Sequence, residues 1–384
     1  MSHQVYINNS SAFLPNEAVS NDAMESLLTP VAKRPSRVRK LILRSNKIRS
    51  RYYAITPETG LASHTNAQLA AEAIRKLGAQ GCNIDIIEVL ACGTTLPDQL
   101  MPNHALMVHG ELGIPACEAV ATSGICLSGV MSLKYAYMAI LSGLNSNGVA
   151  TGSENVSSLL RGHLFAKEMT VLSKELDKNP ELAFEKDFLR WMLSDGAGAV
   201  WMSNKPNSDT GRISLRIDWI HQKSYAGELE ACMYAGAEKM EDGSLRAWRE
   251  YLPKEWMEQS IFSIKQDVKL LNEKIIEYTV SKPLQELVEQ NIVDAEQIDW
   301  FLPHYSSEFF REKVYEGMQL AKCDISQEKW FSNLSTKGNT GSASIYIILE
   351  ELFHSGRLKK GERLLCYIPE SGRFSTAFMH FTVV

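Results

Sequence analysis

Two stretches, Cys126 to Leu141 and Asn339 to Phe353, are apolar on nearly every side when wound as helices. Such a helix belongs between layers of a protein rather than on its surface. Each follows a strand-like run that opens on Ile-Asp. The first is Ile84-Asp85-Ile86-Ile87-Glu88-Val89-Leu90, and the second is Ile298-Asp299-Trp300-Phe301-Leu302. Cys126 and Asn339 lie at nearly the same distance beyond Asp85 and Asp299. Both helical stretches end in Ser-Gly, at Ser142-Gly143 and Ser355-Gly356, where glycine can take the left-handed conformation that closes a helix. Each then leads into a further strand, Gly148 to Thr151 and Leu364 to Ile368. The order of strand, loop, central helix and strand thus occurs twice, offset by about 213 residues. Alternating strands and helices predict an α/β layered fold, here a duplicated one with two buried central helices.

The rest of the chain fits around that repeat. Ser194 to Met202 reads as a glycine-rich turn feeding a strand, and Ser203 to Gly211 as a polar connection between halves. The expected division is residues 1–205, carrying Cys126, and residues 206–384, carrying His304 and Asn339. Lys254 to Glu289 has a helical pattern, with Ile261, Ile264, Val268, Leu271, Ile275 and Ile276 marking its apolar face. A length of 384 residues suits two domains or two fused halves better than one core.

Composition narrows the function classes. The net charge of −5 argues against a general nucleic-acid binder. No apolar run is long enough to predict a membrane span. Met1 to Pro15 lacks the basic start and apolar core of a secretion signal, so a cytoplasmic location is expected. The seven cysteines are scattered and lack CxxC spacing, which reads as free thiols rather than a disulfide or zinc framework. Lys33 to Arg51 is uninterrupted by any acid and includes Lys33, Arg34, Arg37, Arg39, Lys40, Arg44, Lys47 and Arg49. In an acidic chain this is a local positive segment, suited to phosphate or an acidic partner protein, or simply a solvated helix face.

Cys126 stands apart from the other thiols. It sits in Ala121-Thr122-Ser123-Gly124-Ile125-Cys126-Leu127-Ser128-Gly129, where small residues precede a helix. The helix N-terminus favours a thiolate, and its N–H groups can hold an oxyanion. A thiolate accepts acyl groups as reactive thioesters. His304, in Pro303-His304-Tyr305, is expected at the end of a strand, where a side chain can project into a cleft. Asn339, in Gly338-Asn339-Thr340, could simply cap its helix. The repeat makes it the counterpart of Cys126, so that two helix starts converge on one site.

These motifs in this order resemble the thiolase superfamily, and within it the ketoacyl synthase III type of condensing enzyme. The resemblance spans nearly the whole chain. It includes Phe13-Leu14-Pro15, Ile48-Arg49-Ser50-Arg51, the Cys126 segment, Asp195-Gly196-Ala197-Gly198-Ala199, Pro303-His304 and Gly338-Asn339-Thr340. It implies a five-layered αβαβα fold, an acylated Cys126, and His304 with Asn339 stabilising the enolate of a second thioester. It further implies an oxyanion hole from the backbone N–H groups of Cys126 and Gly372. Acyl groups would arrive on coenzyme A or acyl carrier protein phosphopantetheine, guided by Lys33, Arg34, Arg37 and Arg49. A homodimer is implied, and no metal or redox cofactor. Two segments depart from the family pattern. Glu370-Ser371-Gly372-Arg373-Phe374 stands where members often have a glycine run, and Tyr305-Ser306-Ser307 where many have Gln-Ala-Asn. They resemble the branch that builds dialkylresorcinols and related cyclic diketones from two acyl chains. The competing readings are a cysteine-dependent thioesterase, suggested by the elbow-like Gly124-Ile125-Cys126-Leu127-Ser128, and a non-catalytic partner subunit.

Overall fold

The computed structural model describes residues 4–28, 39–162, 189–208 and 211–384. Nine strands carry the architecture: β1 (Tyr6–Phe13), β2 (Val89–Thr94), β3 (Glu118–Ser123), β4 (Asn147–Glu154), β5 (Gly196–Ser203), β6 (Leu215–Ser224), β7 (Trp300–Pro303), β8 (Arg363–Glu370) and β9 (Ser375–Val383). They form one sheet in the order β7-β8-β9-β6-β1-β5-β4-β2-β3. Its seam is the short antiparallel pairing of Tyr6 with Arg216 and Ile7 with Leu215.

The two sides of the seam repeat one topology. On the first, β2 runs parallel to β3 and β4, while β5 is antiparallel to β4 and β1. On the second, β7 runs parallel to β8, and β9 is antiparallel to β8 and β6. The place of β3 is taken by a single parallel bridge between Phe301 and Trp330, with Phe331 N–H donating to the Phe301 carbonyl at 2.9 Å.

Helices α1 (Asn66–Ala79) and α2 (His104–Leu112) cover one outer face. The central helices α3 (Leu127–Leu141) and α7 (Ser344–Phe353) each contact strands from both sides of the seam. Helices α4 (Val268–Ile276), α5 (Lys282–Glu289) and α6 (Arg311–Leu320) belong to the opposite outer layer, joined to β8 and β9 through a π-turn at Glu277–Ser281. The result is the five-layered α/β arrangement expected from the sequence. Gly143 (φ 81°) and Gly356 (φ 71°) follow the central helices in left-handed conformations, as the Ser-Gly endings predict. No helix among the described residues is long and apolar enough to cross a membrane.

The central layer is packed backbone to backbone. A Cβ on Gly129 would lie 2.2 Å from the Ser342 carbonyl oxygen, and one on Gly152 would lie 2.3 Å from the same atom. On Gly198 it would meet Tyr346 Cβ at 2.3 Å. The Tyr346 hydroxyl donates to the Gly129 carbonyl at 2.7 Å, tying α7 to α3.

Three expectations shift in detail. Ile84-Asp85 does not open a strand, because Asn83 caps a 3-10 turn at Ile84–Ile86 and β2 begins only at Val89. Asp294 likewise caps a turn at Ala295–Gln297, and β7 begins at Trp300. Asn339 does not open α7: a 3-10 turn at Gly341–Ala343, begun by Thr340, intervenes, and α7 starts at Ser344. Lys254 to Glu289 is not one helix. The helix Pro253–Glu258 stops before Ser260 (φ 48°), Lys265–Gln266 pairs with Met233–Tyr234, and Asp267 caps a new start at α4. The apolar spacing was right, but no glycine or proline signals the break.

Gly152→Ala should destabilise the protein by about 3 kcal/mol, since the added methyl meets a carbonyl that cannot retreat. Gly110→Ala, in α2 with open space at the Cβ position, should instead stabilise by about 0.5–1 kcal/mol. Chemical denaturation of both variants beside the wild type checks the contrast.

Candidate active site

The strand β3, a tight turn and α3 deliver Cys126 to the centre of the molecule. Its backbone (φ −62°, ψ −31°) is already helical, and its own side chain makes no capping bond to α3. β7 delivers His304, whose N–H donates to the Tyr367 carbonyl at 2.8 Å. Asn339 is fixed at both ends of its backbone: its N–H donates to Met192 O (2.9 Å), and its carbonyl accepts from Ser194 N (2.8 Å). Its Oδ1 accepts from Gly341 N at 3.0 Å. Because that bond uses the amide oxygen, the side chain can hold its turn and still offer Nδ2 as a donor.

Cys126, His304 and Asn339 line one cavity. The remaining wall is mostly apolar and includes Val156, Leu271, Ile275, Phe310 and Val314. None of its described lining residues is Lys or Arg. Burial pushes His304 down to about 4, so the ring is neutral at pH 7. Burial alone sets that shift, with no carboxylate contribution. Burial also pushes the Cys126 thiol well up, helped by the negative charges of Glu370 and Glu154, while its own backbone N–H acts the other way. Cys92, Cys232 and Cys323 are buried outside the described lining of this cavity, and burial pushes each up to about 12.

Two acids unassigned by the sequence reading shape the site. Glu154 ends β4 and is 1% exposed. Its Oε1 accepts from Thr95 N (3.1 Å), Thr95 Oγ1 and Ser342 N (3.0 Å). Its Oε2 is buried with no hydrogen-bond partner, and Glu154 lines the cavity with Cys126 and Asn339. Burial raises its carboxyl to about 7, although the Thr95 and Ser342 bonds pull it down. Glu370 Oε2 accepts from Ile125 N and Leu127 N, each at 3.0 Å. It thus occupies the donors flanking Cys126, and burial raises its carboxyl too. Signals for both acids existed: Glu154 closes a strand of small residues, and Glu370 interrupts the family's glycine run.

Gly372 lies against the turn that carries Cys126, since a Cβ there would be 2.7 Å from Ile125 Cδ1. Its carbonyl accepts from Cys232 N (2.8 Å), and the neighbouring Ser371 lines the cavity. Asp195, in the glycine-rich turn, is structural, accepting from Ala54 N at 2.6 Å and Ser157 N at 2.9 Å. Of the basic segment, Lys33, Arg34 and Arg37 lie outside the described residues. Lys40, Arg44, Lys47 and Arg49 are exposed. Arg51 is not part of that surface. It is fully buried, with its guanidinium 3.2 Å from the Trp191 carbonyl.

Residues 288–368 match the family 3-Oxoacyl-[acyl-carrier-protein (ACP)] synthase III C terminal. A beta-ketoacyl-[acyl-carrier-protein] synthase III of Xanthomonas oryzae pv. oryzae is 25% identical over 369 residues, covering 95% of each chain. Among solved structures, a tetronic acid condensing enzyme superposes with a TM-score of 0.72 at 19% identity, covering 98% of this chain and 99% of its own. OleA of Xanthomonas campestris, solved with lauric acid and lauroyl-CoA, gives 0.72 at 17% identity and covers both chains completely. Over its full length this chain therefore shares the duplicated five-layered fold of these condensing enzymes, and its residues 288–368 carry the match to the synthase III C-terminal family.

Proposed function

We propose that the enzyme joins two acyl thioesters by Claisen-type carbon–carbon bond formation through an acyl-Cys126 intermediate. The observation that carries this reading is the meeting of Cys126, His304 and Asn339, from different parts of the duplicated fold, on one apolar cavity. In the loading step the Cys126 sulphur attacks a thioester carbonyl. The carrier thiol leaves, and neutral His304 is available to pass the thiol proton to it. The backbone N–H groups of Cys126 and Gly372 hold the acyl oxygen. The second thioester then binds as an enolate, with its oxygen on Asn339 Nδ2 and a His304 N–H. Its α-carbon attacks the acyl carbonyl and Cys126 leaves.

Further assignments complete this reading. Acyl groups arrive on coenzyme A or an acyl carrier protein, guided by Lys33, Arg34, Arg37 and Arg49. The enzyme is a cytoplasmic homodimer built of halves 1–205 and 206–384. Its product is a precursor of a cyclic diketone or dialkylresorcinol, in keeping with Glu370-Ser371-Gly372 and Tyr305-Ser306-Ser307. The tetronic acid condensing enzyme and OleA support a specialised branch by their folds. A thioesterase would want a carboxylate orienting its histidine, and burial alone governs His304.

Intact-protein mass spectrometry after incubation with a panel of acyl-CoAs should show one acyl adduct, absent in Cys126→Ala. His304→Ala and Asn339→Ala should still carry the adduct but condense roughly 100-fold more slowly or worse. Adduct formation on Cys126→Ala would remove the nucleophile from this scheme, and rapid release of free acid without a second substrate would favour a thioesterase.

Glu370→Gln tests the electrostatics around the thiol. An amide oxygen can keep the two backbone bonds while the negative charge is lost. Alkylation of Cys126 by iodoacetamide, followed by peptide mass spectrometry across pH, should shift its midpoint to lower pH than in the wild type. An unchanged midpoint would mean that burial alone sets the thiol.

A further inference from the structure

Buried polar atoms in folded proteins find partners, and an exception calls for a reason. Glu154 Oε2 is such an exception. The carboxylate is divided in function: Oε1 is saturated by Thr95 N–H, Thr95 Oγ1–H and Ser342 N–H, and Oε2 has no partner. The three bonds fix the group rigidly at the turn that carries Asn339. A Cβ on Gly341, two residues beyond Asn339, would lie 3.0 Å from Glu154 Cγ. The same carboxylate is close enough to Cys126 for its charge to be felt at the sulphur. Glu154 thus lines the cavity that nucleophile and enolate holder share, where the second substrate must sit, and one of its oxygens is uncommitted.

We propose that Glu154 is the base of the condensation, and that the second substrate is an acyl thioester without a free carboxylate. This rests on the acyl-Cys126 reading above and selects between its two routes to the enolate. Glu154 Oε2 takes a proton from the donor α-carbon. The C–H pair becomes the enolate, with its charge on the thioester oxygen beside Asn339 and His304. The new C–C bond forms as the Cys126 C–S bond breaks. The departing thiolate takes the proton from Glu154, restoring both groups. No carbon dioxide is released.

Two observations favour this route over loss of a carboxylate. The described cavity wall offers no Lys or Arg to hold a malonyl-type anion, and Glu154 lines it while Glu370 sits beside Cys126. Such an anion would be buried without a counter-charge. Of the two candidate bases, His304 is held near 4 and Glu154 near 7, so the carboxylate is the stronger base and matches neutral working conditions.

The test uses wild-type enzyme carrying an acyl group on Cys126, offered dodecanoyl-CoA, β-oxododecanoyl-CoA or malonyl-CoA in single-turnover assays. At least one of the two neutral donors should condense at least roughly 10-fold faster than malonyl-CoA. Glu154→Gln keeps an oxygen for Thr95 and Ser342 but cannot accept the proton, and should slow condensation with that neutral donor by roughly 100-fold or more. Glu154→Asp should recover part of the rate. Mass spectrometry of acyl-Cys126 in the same samples reports folding and loading. Malonyl-CoA as the preferred donor, no condensation from a loaded enzyme, or a loaded Glu154→Gln within threefold of wild type would each overturn the assignment. The donor comparison needs only wild type, so it decides even where the variant does not fold. Failure of every acyl-CoA to load Cys126 would instead overturn the reading beneath it.

Discussion

The peptide at Ser342 is the point on which the centre of this molecule depends. Its carbonyl occupies the space a Cβ would need on both Gly129 and Gly152. Its N–H donates to Glu154, and its hydroxyl to the Ser153 carbonyl at 3.1 Å. One peptide from the second half is thereby pressed against α3 and the end of β4 from the first. Glycine is required there by space rather than by backbone conformation, since neither Gly129 nor Gly152 has positive φ. The consequence is functional. α3 begins beside Cys126, and the turn before Ser342 contains Asn339, so the close approach sets how near nucleophile and amide can come.

That compactness also sets the electrostatics. A helix N-terminus ordinarily favours a thiolate, but here Glu370 already uses the N–H groups of Ile125 and Leu127. Desolvation then dominates, and two carboxylates reinforce it. His304 responds to the same dry surroundings in the opposite direction, becoming a weaker base. Both shifts share their largest cause, the unfavourable transfer of a charge into a buried apolar site.

Much of this was legible in the chain. The double order of strand, central helix and strand survives, as do the left-handed glycines after α3 and α7 and the gathering of Cys126, His304 and Asn339. Such features are written in local spacing. The exact strand starts were not, because Asn83 and Asp294 cap short turns whose apolar residues mimic strands. The break at Ser260 hides for a similar reason: a serine with positive φ leaves no sign in the residue pattern. Glu154 and Glu370 were missed for a different reason. Glu154 meets Ser342 across 188 positions, and Glu370 meets Ile125 across 245. A buried acid is defined by partners that sequence order does not reveal. Arg51 shows the converse, a cation that looks solvated in a basic run yet is wholly buried.

On the proposed mechanism Cys126 has two chemical states, and the acids around it bear differently on each. As a free thiol it resists ionisation, first because burial disfavours the charge and then because a thiolate would face Glu370 and Glu154. Once acylated it carries no charge, and that repulsion disappears. The same repulsion returns whenever the thioester breaks and sulphur must leave as an anion. Unassisted departure is therefore disfavoured, which protects the acyl group from premature transfer to water. On the proposed mechanism, proton removal from the second substrate changes this balance. Glu154 becomes neutral on taking the α-proton, so one of the two repelling charges is gone. It also now holds the proton that the departing sulphur requires. Nucleophile formation on one substrate and leaving-group release on the other become linked through a single carboxyl oxygen, and the free Oε2 is the feature that makes the link physically available.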